Sequence, residues 1–188
     1  MKPDLDRAIE LLRDKKQLLA FTGAGISTES GIPDFRGPNG VWTRVDPSEF
    51  TFDKYVSRAE TRIRSWQMRR ESGILDSQPN NAHRALVDLW NAGLLVGVVT
   101  QNIDGLHQAA GLPPEAVVEL HGNLRTVDCL ECDASWPTTT VIERLDAGEE
   151  DPDCPQCGGI IKVSTISFGQ AMPALEMERA SALAVACD

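Results

Sequence analysis

Four of the five cysteines fall as Cys129-x-x-Cys132 and Cys154-x-x-Cys157, with 21 residues between the pairs. Two tight knuckles of this kind can present four thiolates to one tetrahedral ion. The gap is just beyond the usual ribbon range. Gly158-Gly159 follows the second knuckle and lets the backbone turn. A closed shell of four thiolates leaves no open coordination position, so the expected role is structural zinc rather than catalysis. The chain begins Met1-Lys2-Pro3-Asp4 and enters a charged helical pattern with no apolar leader. Metal is therefore expected here rather than disulfides. Cys187 stands alone and reads as an ordinary buried cysteine.

Other chemistry-bearing residues cluster at the ends of apolar runs. Gly23-Ala24-Gly25-Ile26-Ser27 follows Leu18-Leu19-Ala20-Phe21-Thr22. Glycines there would let backbone N–H groups approach a pyrophosphate, although Thr28 occupies the place of a third glycine and an ordinary turn fits equally. Gly31-Ile32-Pro33-Asp34-Phe35-Arg36-Gly37 sets a carboxylate, an aromatic and a guanidinium between glycines. It suits a loop closing over a ligand, or a surface loop with a local ion pair. Thr100-Gln101-Asn102-Ile103-Asp104-Gly105-Leu106-His107 could hydrogen-bond a sugar or amide, or simply form an Asx-rich turn. Of the three histidines, His83 lies at a helix start and reads as structural, and His107 as a support for its loop. His121 ends a strand, where a general base belongs.

The elements that must position these groups alternate. A helix is expected from Asp4 to Lys16 with Leu5, Ala8, Ile9 and Leu12 inward, then a buried strand at 18–22. Phe50, Phe52, Tyr55, Ile63 and Trp66 are spaced as in short helices. Ala82 to Asn91 reads as a helix with Ala85, Leu86, Leu89 and Trp90 inward and Gly93 as its stop. Strands follow at 94–100 and 117–120, then an extended stretch at 162–168 and a helix at 173–186. Such alternation predicts an α/β fold: a Rossmann-like parallel sheet with helices on both faces, incomplete at its C-terminus, plus a small zinc ribbon. The expected division is 1–125 with 160–188 for the nucleotide-binding part and 126–159 for the zinc module. A formal charge of −10 disfavours nucleic acid, and no apolar run is long enough to span a bilayer. A cytoplasmic monomer is expected.

Taken together, these segments resemble the sirtuin family: 23–37, 100–107, His121-Gly122-Asn123, the cysteine pairs, and Phe168-Gly169, in the family's order. The resemblance implies NAD-dependent removal of acetyl or other acyl groups from protein lysines, giving nicotinamide, free lysine and O-acetyl-ADP-ribose. NAD would lie with its phosphates near Gly23, Ala24, Gly25 and Ile26. Its nicotinamide end would lie near Asp34, Phe35, Arg36, Gln101, Asn102, Ile103 and Asp104. His121 would accept a ribose hydroxyl proton, Asn102 would hold the ribose and its water, and the zinc would be structural. Ile166, Phe168 and Gly169 would line the acyl-lysine side.

Three departures matter. Phe168-Gly169-Gln170 replaces the family's Phe-Gly-Glu, and Trp66-x-x-Arg69 replaces the Tyr-x-x-Arg of members selecting acidic acyl groups, so acetyl is the expected group. The family's later Gly-[ST]-Ser strand and Asn-containing loop are missing, which predicts a fragment with exposed apolar surface, poor NAD binding and impaired activity. The rival readings are a mono-ADP-ribosyltransferase and a zinc-stabilised peptide-binding module. A hydride-transferring dehydrogenase is disfavoured, since no acidic residue follows a second strand at the required spacing.

Overall fold

The computed structural model describes residues 5–38, 40–43 and 46–188, without the side chains of Trp42, Pro47 and Phe50; the expectations for Asp4 and for the Phe50 side chain lie outside the described residues. Helix α1 (Leu5–Leu12) leads into strand β1 (Leu18–Thr22), which runs straight into a 3-10 helix at Ala24–Ser30. Gly31 closes that turn at φ 84°, a left-handed conformation that L side chains rarely adopt. Two helices follow, α2 (Phe52–Ser57) and α3 (Ala59–Glu71), then α4 (Asn81–Asn91). Next come β2 (Leu95–Thr100), the short α5 (Leu106–Ala110), β3 (Val117–Glu119) and β4 (Gly122–Cys129). The chain closes with β5 (Ser135–Pro137), α6 (Thr138–Asp146), β6 (Ile161–Thr165) and α7 (Ala174–Ala186).

Strands β1, β2 and β3 form a parallel sheet in that order, Phe21 facing Val99 and Val99 facing Val118. Helices cover both faces, as the alternation predicts. On one, Leu86, Leu89 and Trp90 of α4 pack on Leu95, Val98, Leu112 and Val117. On the other, Ala180 and Leu183 of α7 pack on Val99, Val118 and Leu120. Gly97 lies under that second contact, where a Cβ would stand 2.9 Å from the tip of the Leu183 side chain. β2 is buried at five of its six positions, and full burial of each Val or Leu contributes roughly 1.5–3 kcal/mol, so it is the sheet's anchor.

Helix α4 owes its start to Asn80. The Asn80 Oδ1 accepts the N–H groups of Ala82 and His83, and the His83 ring Nδ1 accepts the Asn80 N–H in return. Gly93, at φ 70°, ends the helix as expected. Ala85, expected inward, is exposed; Val87 takes its place against the core, and His83 is fully buried.

Other expectations need correction. β1 is an edge strand rather than a buried one, and Phe21 keeps 63% of its surface exposed. α1 forms, but Leu5, Ile9 and Leu12 are all exposed, so its apolar face has no cover among the described residues. A periodic pattern marks which face of a helix is apolar; it does not supply the neighbour that buries it. Cys187 is half-buried instead of a core residue.

Strands β5, β4 and β6 form a separate antiparallel sheet, whose hydrogen-bonded limits, Gly122 and Thr165, reach beyond 126–159 at both ends. Its core joins Leu124, Val127, Val141, Leu145, Ile161 and Val163 to Trp66 from α3. The Tyr55 hydroxyl donates to the Ile161 carbonyl (2.8 Å), tying α2 to the same strand. No helix among the described residues is long and apolar enough to cross a membrane.

Candidate active site and metal centre

The C-terminal ends of the parallel strands converge, where an open α/β sheet receives ligands. Gln101 donates its backbone N–H to Thr22 O (3.0 Å), and Leu120 donates to Thr100 O (2.9 Å), so the three strand ends are held together. Beyond them Asn102 is buried, its Nδ2 donating to Gly23 O and to the Ser27 hydroxyl, both at 3.1 Å. The Ser27 Oγ donates to Asp104 Oδ2 (2.7 Å), and Asp104 Oδ1 accepts the Leu106 N–H (3.0 Å). Ser27 is fully buried although it lies in a glycine-rich turn. Its role was hidden in the sequence, where a serine after Gly-x-Gly reads as turn chemistry; only its place opposite Asn102 and Asp104 reveals it. Asn80 likewise shows its role only in the tertiary structure: besides capping α4, its Nδ2 donates to Ile26 O (2.7 Å) and to the Ser30 hydroxyl (3.1 Å), fastening the turn.

Gly23 is extended at φ −141°, and neither Gly23 nor Gly25 has positive φ. A Cβ at either would meet nothing within 4 Å. Nothing among the described residues therefore demands glycine at these two positions, and the open space beside them is available to a ligand.

His121 sits between two backbones. Its Nδ1 lies 2.9 Å from Gln101 O, and its own carbonyl accepts the Ile166 N–H (2.8 Å). A carbonyl oxygen can only accept, so the neutral ring carries its proton on Nδ1 and leaves the Nε2 lone pair bare. Next to His121, Gly122 stands at φ 70°, and a Cβ there would collide with Ser164 O. Gly122→Ala should therefore destabilise the protein by about 3 kcal/mol or more, read as a fall in thermal midpoint.

The 31–37 loop braces itself. Asp34 Oδ1 accepts the Gly37 N–H (2.8 Å) and Asp34 O accepts that of Val41 (2.8 Å), while the Phe35 and Arg36 side chains are exposed. The expected local Asp34–Arg36 ion pair does not form; the backbone N–H of Gly37 takes the carboxylate instead. Phe168 O accepts the Phe52 N–H (2.9 Å), its ring is exposed, and Gly169 adopts φ 88°. Gln170 Oε1 caps this turn by accepting the Ser167 N–H (2.8 Å).

Trp66 and Arg69 are adjacent, with the guanidinium 5.9 Å over the indole, but Trp66 belongs to the core of the antiparallel module. Arg69 donates to Ser65 O (3.0 Å), and burial lowers its pKa from the ordinary arginine value. Below them lies a lysine that the sequence did not flag. Lys162 is 4% exposed and donates to the carbonyls of Val163 and Thr165; burial, then the Arg69 charge, pushes its pKa down to about 8. Bonded to carbonyls alone, it braces the end of β6 that delivers Ile166.

The cysteine quartet assembles as its spacing predicts. The four Sγ atoms lie within 4.8 Å of one another, with Cys129 to Cys157 at 3.6 Å and Cys132 to Cys154 at 3.7 Å. A tetrahedron with Zn–S bonds of about 2.3 Å has edges of about 3.8 Å, so the donor set fits zinc, and the separations are far too long for disulfides. Gly158, at φ 75°, donates its N–H to Cys154 O (2.8 Å) and makes the second knuckle.

A parallel sheet whose strand ends gather a Ser27–Asn102–Asp104 network, beside four thiolates spaced to hold zinc, defines an α/β protein with a strand-end ligand site and a candidate metal centre. The Sir2 family model matches residues 23–188, and the chain belongs to that family. It is 47% identical over 175 residues to NAD-dependent protein deacetylase 2 of Streptomyces coelicolor, covering 92% of this chain and 73% of that protein. To the NAD-dependent protein deacetylase of Thermodesulfovibrio yellowstonii it is 46% identical, covering 98% and 71%. A solved Sir2 enzyme superposes with TM-score 0.88 at 36% identity, covering all of this chain and 74% of the other. Another Sir2 chain, solved with deacetylated p53 peptide and 3'-o-acetyl ADP ribose, gives TM-score 0.88 at 34% identity, with 97% and 73% covered.

Proposed function

We infer that this chain is an NAD-dependent protein-lysine deacetylase, transferring the acetyl group of a modified lysine to the ADP-ribose part of NAD. The products are nicotinamide, free lysine and O-acetyl-ADP-ribose. The observation that carries the reading is the His121 hydrogen bond from Nδ1 to Gln101 O, which leaves Nε2 as the ring nitrogen for a substrate proton at the strand ends. NAD phosphates would take the space beside Gly23, Ala24, Gly25 and Ile26. The nicotinamide-ribose end would meet Gln101, Asn102, Ile103 and Asp104, with Asp34, Phe35 and Arg36 closing over it and excluding water. His121 accepts the ribose hydroxyl proton, and Asn102 orients that hydroxyl.

On the opposite side, Ile166, Phe168 and Gly169 hold the acyl-lysine, with Trp66 and Arg69 behind them. Trp66, committed to the core, offers no hydroxyl to an acidic acyl group, which supports acetyl as the substrate. Residues 126–159 act as the zinc module and 1–125 with 160–188 as the nucleotide-binding part, β4 and β6 bridging the two. Zinc, held by Cys129, Cys132, Cys154 and Cys157, supplies structure only, since its shell is closed. The protein works as a cytoplasmic monomer on acetylated proteins or peptides, and its −10 charge suits basic tails rather than nucleic acid.

Incubation with NAD, with and without an acetyl-lysine peptide, tests the reading through nicotinamide release. Release that depends on the peptide is expected. Release without peptide would favour a mono-ADP-ribosyltransferase, and peptide binding without release a binding module.

A further inference from the structure

Two histidines outside the catalytic proposal are packed together, with His83 and His107 ring centroids 5.0 Å apart. His107 is buried, and its Nε2 lies 2.9 Å from the Thr22 hydroxyl. The Thr22 Oγ1 donates to Thr100 Oγ1 (2.8 Å), which also accepts the backbone N–H of Asn102 (3.0 Å). Because Thr22 gives its proton to Thr100, the proton between His107 and Thr22 belongs to the imidazole. His107 is then the Nε2–H tautomer with a bare Nδ1, and Nδ1 is the ring atom without a partner. A buried bare acceptor is tolerated better than a buried unpaired N–H. Burial, then the neighbouring His83, pushes the His107 pKa down to about 4, so the ring keeps a single proton at neutral pH.

We propose that His107 is a positioning residue, whose Nε2–H orders the Thr22–Thr100 hydroxyl pair and so fixes the peptide unit that carries Asn102. β1 and β2 are already joined by ladder bonds and by Gln101 N–H to Thr22 O, so the chain of hydroxyls is not needed to pair them. What it adds is the orientation of Asn102, whose amide also holds Gly23 O and Ser27. Small misplacements of a substrate-orienting group can cost up to about a hundredfold in rate. For its kinetic consequence alone, the proposal rests on the deacetylase reading.

The test uses the whole zinc-loaded chain, labelled with nitrogen-15, as wild type, His107→Leu, His107→Gln and Thr22→Val. Long-range proton–nitrogen spectra should find His107 protonated at Nε2. The Asn102 backbone amide resonance should move in His107→Leu and Thr22→Val and return in His107→Gln, whose side-chain N–H can reach Thr22. Turnover should follow the resonance: kcat lower by roughly 10–100-fold in the first two, largely restored in the third, with the peptide KM unchanged. A proton on Nδ1, an Asn102 resonance indifferent to all three variants, or His107→Gln as displaced as His107→Leu would overturn the proposal. Absence of nicotinamide release from wild type would sink the deacetylase reading, while the spectra still decide the role of His107.

Discussion

His121→Ala is expected to lower peptide-dependent nicotinamide and O-acetyl-ADP-ribose formation at least about a hundredfold, the low end for loss of a positioned general base. The ring's Nδ1–H is held by Gln101 O, so Nε2 is the one nitrogen able to take a proton. His121→Asn sharpens the test. An asparagine amide can reproduce the Nδ1–H bond to Gln101 O but carries no basic nitrogen, so this variant should be as inactive as alanine while folding like wild type. Thermal midpoints should stay within a few degrees of wild type, since a partly exposed hydrogen bond contributes about 1 kcal/mol. An asparagine variant retaining substantial turnover would show that the imidazole orients rather than accepts the proton.

Stripping zinc with a chelator, or substituting Cys132→Ala, should unfold the antiparallel module and with it abolish activity. Binding of structural zinc to a four-ligand site is worth roughly 10–16 kcal/mol, comparable to the roughly 5–15 kcal/mol by which a whole domain is stable. Cys129 and Cys154 stand inside the same cluster as Trp66, Leu124 and Ile161, so loss of the metal opens that core to water. The damage reaches the active site along β6, whose far end presents Ile166 N–H to His121 O. One zinc per chain should be released, with loss of the near-ultraviolet signal from Trp66 and Trp136. A metal-free protein that kept this signal and its turnover would refute the structural role.

Much of the framework was legible in the residues. The Val-rich runs at 95–100 and 117–119 are strands because branched apolar residues buried on both faces suit a parallel sheet. Gly93 stops α4 where it stands, since its positive φ suits no other residue as well. Less legible were the partners of exposed elements. The apolar face of α1 and the outer side of Phe21 look like core positions in the sequence, yet neither is covered among the described residues. Burial depends on what lies opposite, and local periodicity carries no information about that.

The site divides in the same way. The four cysteines were legible in the sequence, because each short knuckle pairs two thiolates by local geometry; the sheet then brings the two pairs together. Tertiary structure decided the rest. The proton on His121 is set by a carbonyl 20 residues away, the burial of Ser27 by Asn102 and Asp104 across two strand ends, and the His107 tautomer by Thr22 on another strand. Hydrogen-bond direction and burial are properties of pairs that meet only when the sheet closes.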